Sequence, residues 1–127
     1  LEHLGNTRCV LTWDKMQEFS GADFELAWTS FDKTLVKAKV KYSGFQGMDN
    51  GGKIHPTQKP VALYNWILET YATKGMNVLD THLGSGSIAI ACHYAGVNLV
   101  ACELDTTYYE KALKRIKEQT AQVSLFH

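Results

Sequence analysis

An α/β fold with a parallel strand pair is predicted by three observations. Two short apolar runs, "MNVLD" at 76–80 and "VNLVACELD" at 97–105, each end on a carboxylate. A glycine-rich turn at 84–86 leads from the first run into "SIAIACHYAG", a stretch of small residues closed by Gly96. The second run leads into "TTYYEKALKRIKEQ", a third feature with helical spacing. A helix between two buried strands makes a right-handed βαβ crossover, so the strands lie parallel.

The remaining elements follow from local signals. Pro60 suits a first helical position, and Val61, Tyr64, Leu68 and Tyr71 then recur at helical spacing. Lys74-Gly75 reads as the stop of that helix. Thr107 and Glu110 are spaced as a capping box for the last helix. Upstream, "RCVLTW" reads as a short strand, and "FELAWTSF" and "LVKAKVKY" read as a hairpin turning at Asp32-Lys33. In the last of these, Val36, Ala38, Val40 and Tyr42 alternate with Lys37, Lys39 and Lys41, giving one buried and one cationic face. The expected organisation is one partial domain over 1–127. It comprises a strand-rich part at 1–42, a glycine-rich loop at 43–54 and a ligand-binding βαβα part at 55–127.

Composition sets limits. With 127 residues, 45% of them hydrophobic and 20% charged, the chain reads as one globular domain. No run of eighteen apolar residues argues for a membrane span, and no signal-peptide pattern opens the chain. Net charge is zero, which removes any global pull toward a polyanion, yet six lysines between Lys33 and Lys59 face the single acid Asp49. Lys37, Lys39 and Lys41 are therefore either a solvated edge or contacts to DNA phosphates. Cys9, Cys92 and Cys102 have no metal-ligand spacing and read as reduced core thiols of a cytoplasmic protein. No metal site is expected.

The glycine turn carries the chemistry. Gly84, Gly86 and Ala89 match G-x-G-x-x-A between a strand and a helix, and Glu103 closes the next strand where a ribose-binding acid belongs. The plain alternative is a tight turn that needs only small residues. Asp80 discriminates between ligands. A carboxylate at that strand end repels a pyrophosphate but attracts an ammonium or sulfonium, which favours S-adenosylmethionine over a nicotinamide dinucleotide. Asp80 also fits a turn-capping role.

"HPTQKP" at 55–60, "LDTHLGSGS" at 79–87 and "ACELD" at 101–105 together resemble the amino-group DNA methyltransferases, more narrowly the phage and prophage adenine-specific type. The resemblance covers Lys53 to the C-terminus and extends less firmly to "TWDK" and "FELAWTSF". It implies that Thr57, Gln58 and Lys59 help to enclose the methionine end of S-adenosylmethionine. It further implies that Asp80, Gly84, Ser85 and Gly86 wrap the cofactor, and that Glu103 takes the ribose. "HPTQKP" alone would equally serve as a proline-punctuated lead-in to a helix, and His55 receives no catalytic role. Thr81, His82 and Ser87 depart from the common D-P-F-x-G-S-G-T loop, as a subfamily would.

The family's amine-binding motif, [D/N/S]-P-P-[Y/F/W], is absent, because Pro56 and Pro60 are the only prolines and are not adjacent. No catalytic residue is therefore assigned. The expectation is a C-terminal portion of a seven-stranded, Rossmann-like methyltransferase fold with two sheet strands missing. It should be inactive alone and completed by a second copy or a complementing chain that together engage DNA. A non-catalytic cofactor-binding module and a fragment of another Rossmann-like enzyme, such as an RNA methyltransferase or a dehydrogenase, remain alternatives.

Overall fold

The structure is a computed structural model that describes residues 5, 9–17, 21–42 and 52–121. The chain divides into two compact units, Leu1–Ser43 and Gly44–His127. Most of the expected glycine-rich loop, at 43–51, lies outside the described residues. Across both units the fold is α/β and Rossmann-like, with five strands among the described residues.

The first unit is a three-stranded sheet of β1 (Val10–Asp14), β2 (Phe24–Trp28) and β3 (Val36–Lys39), in the order β2-β1-β3. β1 pairs antiparallel with β2 and parallel with β3. The hairpin expected across Asp32-Lys33 therefore does not form, since β2 and β3 lie on opposite sides of β1. Burial explains the arrangement. β1 buries Leu11 and Trp13, with Cys9 just ahead of it, whereas β2 is exposed along nearly its whole length. The most apolar strand takes the centre, where both of its edges are paired. Stepping over one strand requires roughly 10 Å, which residues 29–35 can span. Trp13 then pins the outgoing chain by donating its indole N–H to Val40 O at 2.8 Å.

Alternation in β3 follows expectation: Ala38 is buried, while Lys37, Lys39 and Lys41 are exposed. The outer face of this sheet also carries Phe24, Leu26 and Trp28, between 41% and 65% exposed.

The second unit holds α1 (Val61–Tyr71), β4 (Asn77–Asp80), α2 (Ser87–Ala95), β5 (Asn98–Ala101) and α3 (Thr106–Ala121). β4 and β5 are parallel, with Val78 opposite Leu99 and Leu79 opposite Val100. Small residues on α2 let α1 approach closely. Leu68, Ala91, Cys92 and Val97 form the core, and Val61, Tyr64, Val78 and Leu99 pack against it. The opposite face of the strand pair leaves Leu79 and Val100 about two-thirds exposed. Cys102 continues that outward side and is exposed, so only Cys9 and Cys92 are the core thiols expected of all three. Among the described residues no helix is long and apolar enough to cross a membrane.

Three helix boundaries differ from expectation. Pro60 is the N-cap of α1 rather than its first helical residue, with extended backbone at ψ 144°. α1 ends at Tyr71, ahead of Lys74-Gly75, because Ala72 already turns extended. The left-handed Gly75 instead serves the turn into β4, donating its N–H to Gly96 O. At α3 the cap is Asp105, whose carboxylate accepts the Tyr108 N–H at 2.9 Å. Thr107 falls inside the first turn, so a carboxylate one position ahead of the helix supplies the cap the expected box would have supplied.

Candidate functional site

The second unit contains an open cleft of about 310 Å³ walled by three segments. His55, Thr57, Gln58 and Lys59 form one wall; His82, Leu83, Gly84, Ser85 and Ser87 form the second; Glu103 forms the third. Tyr64 of α1 also lines the cleft. Six of the eight expected ligand-binding residues thus meet at one place, although they are spread over nearly fifty positions of sequence. Asp80 and Gly86 do not line the cleft.

The glycine turn is built on backbone geometry. Gly84 and Gly86 have φ of +56° and +78°, in the left-handed region that side chains other than glycine disfavour. At Gly84 this conformation aims the N–H at Glu103 Oε2, 2.8 Å away. Gly86 has a second constraint: a Cβ there would lie 2.9 Å from Ile116 Cδ1 and 3.0 Å from Cγ1. Its absence of side chain serves the packing of α3 rather than a ligand.

Glu103 links the walls. Oε1 accepts the Asp105 N–H at 3.1 Å, and Oε2 accepts that of Gly84. Backbone donors hold its carboxyl below the usual glutamate range, Asp105 first and then Gly84, and His55 and the Leu104 N–H add to the effect. A carboxylate offers about four acceptor positions, so with three backbone donors one remains. An ionised acid with acceptor capacity left, set at the edge of a cleft, is suited to accept from a sugar hydroxyl.

Asp80 behaves as a turn carboxylate. Its Oδ1 accepts the His82 N–H at 2.9 Å, and its backbone oxygen accepts the Cys102 N–H. The role expected from its charge, attracting a cationic ligand, finds no support in its position. Gln58 is nearly buried and folds back on its own segment: Oε1 accepts the Ile54 N–H, and Nε2 donates to Gly52 O. It shapes the wall while its polar atoms are engaged within it.

His55, to which the sequence assigned nothing, is central. Its Nδ1 accepts the Thr57 N–H at 3.2 Å, which leaves the neutral ring's proton on Nε2. That Nε2 edge is the one nearest Gly84, and the ring packs on Tyr108 with centroids 4.3 Å apart. The histidine visible inside "HPTQKP" was the available signal; its partners Gly84 and Tyr108 become neighbours only in the fold. Ser87 and Arg115 were likewise missed.

In the first unit, Lys37 pairs with Asp14 at 3.3 Å, and Asp14 lies opposite Lys39 in the ladder. The Met16 N–H, and then Lys37, hold the Asp14 carboxyl below its ordinary range. A carboxylate inside the lysine row lowers its positive potential at that end.

Comparison with known proteins places these features. Residues 10–114 match the DNA methylase family, N6_N4_Mtase. The type II methyltransferase M.HpaI of Haemophilus parainfluenzae is 33% identical over 67 residues, covering 53% of this chain and 21% of that protein. M2.DpnII of Streptococcus pneumoniae is 27% identical over 113 residues, covering 88% and 38%. The crystal structure of the M1.HpyAVI–SAM complex superposes with a TM-score of 0.62 at 23% identity, over 84% of this chain and 60% of that one. TTHA0409 of Thermus thermophilus, a putative DNA modification methylase in complex with S-adenosyl-L-methionine, gives 0.58 at 18% identity, over 87% and 53%. The chain thus spans well under half the length of these two curated relatives. With the family match running through both units, the glycine turn and the acid at Glu103, the chain belongs to the N6-adenine/N4-cytosine DNA methyltransferase family.

Proposed function

We propose that this chain is the S-adenosylmethionine-binding portion of a site-specific DNA adenine-N6 methyltransferase, and that it does not transfer methyl groups alone. The observation that carries the reading is the Glu103–Gly84 bond at the edge of the cleft. It joins the glycine turn to an ionised acid with acceptor capacity to spare, which suits a ribose hydroxyl. The cleft volume lies at the small end of the range for ligand pockets, as an open pocket lacking part of its wall would. M1.HpyAVI and TTHA0409 were each crystallised with the same cofactor. Thr57, Lys59 and Ser85 supply the remaining polar contacts, while Leu83 and Tyr64 supply the apolar ones.

The cofactor would supply an electrophilic methyl group. This chain would hold and orient that group, but it contains no D-P-P-Y motif to accept the hydrogen bonds of a flipped adenine. Two exposed apolar faces support cover by further polypeptide. Phe24, Leu26 and Trp28 mark one unit, and Leu79 and Val100 mark the other. Parallel strands such as β4 and β5 are normally covered on both faces. The complement would be a second copy or a chain carrying the D-P-P-Y segment, and the assembly would bind DNA.

Calorimetry with S-adenosylhomocysteine and with NAD tests the cofactor. Binding of the first but not the second is expected, and the reverse preference refutes the reading. Labelled-methyl transfer to unmethylated DNA should be undetectable with the pure chain, and transfer by the pure chain refutes the dependence on a complement. Light scattering over a dilution series should show association, and a monomer throughout refutes self-assembly.

A further inference from the structure

Arg115 of α3 is 4% exposed, does not line the cleft, and reaches beneath the glycine turn. Its Nη1 donates to Ser85 O at 2.8 Å and to Ser87 Oγ at 2.9 Å. Ser87 Oγ in turn donates to Lys59 O at 2.7 Å and lies 3.1 Å from Ser85 Oγ. Proton counting orders the network. A hydroxyl has one proton, and Ser87 places it on Lys59 O, so Ser87 accepts from both Arg115 and Ser85.

The placement works against stability in two ways. A guanidinium is taken out of water, and it sits at the N-terminus of α2, where the helix dipole is already positive. The hydrogen bonds offset that cost, and what they secure is the geometry of the cleft. Holding Ser85 O fixes the Ser85–Gly86 peptide plane, within the turn of the two left-handed glycines and just ahead of α2. Holding Ser87 carries the restraint on to Lys59 and the wall that contains Thr57.

We propose that Arg115 is a positioning residue for cofactor binding, tying the 55–59 wall and the glycine turn to α3 without touching the ligand. The proposal rests on the S-adenosylmethionine reading of the cleft. It is tested on the 127-residue chain with S-adenosylhomocysteine as the probe, below the melting temperature of each variant. Arg115→Met should weaken binding roughly tenfold or more, the scale of a hydrogen bond to a charged group. It should also raise hydrogen exchange at 84–87 while α1 exchange holds. Arg115→Lys keeps the charge but not the planar donor, and should lose about threefold or more; it decides the matter if Arg115→Met does not fold. Leu113→Gly loosens α3 from an exposed position. It should lower the melting temperature yet leave affinity within about twofold. Binding by the unchanged chain with equal affinity in the folded Arg115 variants overturns the positioning role. A loss as large in Leu113→Gly does the same, because helix stability would then be the cause. No binding by the folded, unchanged chain overturns the cofactor reading and this proposal with it.

Discussion

Gly86→Ala separates two reasons for a glycine at one position. The residue is left-handed, with φ +78°, which costs an alanine about 1–2 kcal/mol. The new methyl would also meet Ile116 Cδ1 at 2.9 Å and Cγ1 at 3.0 Å, with Ala112 Cβ at 3.5 Å. Crowding of that kind costs about 1–3 kcal/mol when side chains or helices must shift. The sum is about 2–5 kcal/mol, enough to unfold much of a marginal domain. Ile116→Val removes Cδ1 alone and by itself costs about 0.5–1.5 kcal/mol, toward the lower end because Ile116 is only half-buried. In the double variant the two losses should not add: the valine relieves the closer contact and returns about 1 kcal/mol, while the backbone term stays. Urea denaturation of the four proteins measures this cycle. Full additivity would mean that the methyl finds room without displacing Ile116, and that the conformation of Gly86 is the whole reason for the glycine. A Gly86→Ala loss under about 0.5 kcal/mol would refute both terms.

Glu103 provides a pH dependence. Its carboxyl is held below the ordinary value of 4.5, so the stabilisation it brings is present above that value and is lost as pH falls through the lower, folded one. The Glu103 side-chain carboxyl followed by NMR should titrate with a midpoint below 4.5, and the Gly84 amide shift should follow that step; a midpoint above 4.5 refutes the assigned bonds. Replacing Lys37, Lys39 and Lys41 with Gln should flatten the salt dependence of any non-specific DNA binding by the chain. Because Asp14 already engages Lys37, Lys37→Gln alone should change it least of the three, and an unaltered slope in the triple variant returns the row to a solvated edge.

What could be read from the chain differed between the two halves for a physical reason. The C-terminal half is made of contacts close in sequence. β4 runs into the glycine turn, the turn into α2, and α2 into the partner strand of β4, so period, caps and glycines locate each element within a few residues. The N-terminal half depends on pairing. Alternation is visible in the strand at 36–42, but alternation says which face is inward and nothing about which neighbour lies alongside. Asp32-Lys33 looked like a turn because it separates two strand-like runs. The preference of β1, with Leu11 and Trp13, for the sheet centre decided the pairing instead.

The same distinction runs through the cleft. Gly84, Ser85 and Glu103 could be placed in it from sequence, because a strand-to-helix turn and the end of the next strand are always neighbours in a parallel pair. Asp80 could be seen to stand at that strand end with two roles open, attracting a cation or capping the turn, and the bond from the His82 N–H is the second of them. Arg115 and His55 were illegible for a stronger reason. Arg115 bonds Ser85 across thirty positions, and His55 meets Tyr108 across more than fifty, through packing of α3 that no local pattern encodes. The acceptors that line the cleft lie on the legible segments, whereas Arg115, which bonds two of the residues at the glycine turn, comes from a helix outside the sequence motifs. A variant series confined to the motif residues would therefore test the lining of the cleft and leave untested the Arg115 bonds that keep it in shape.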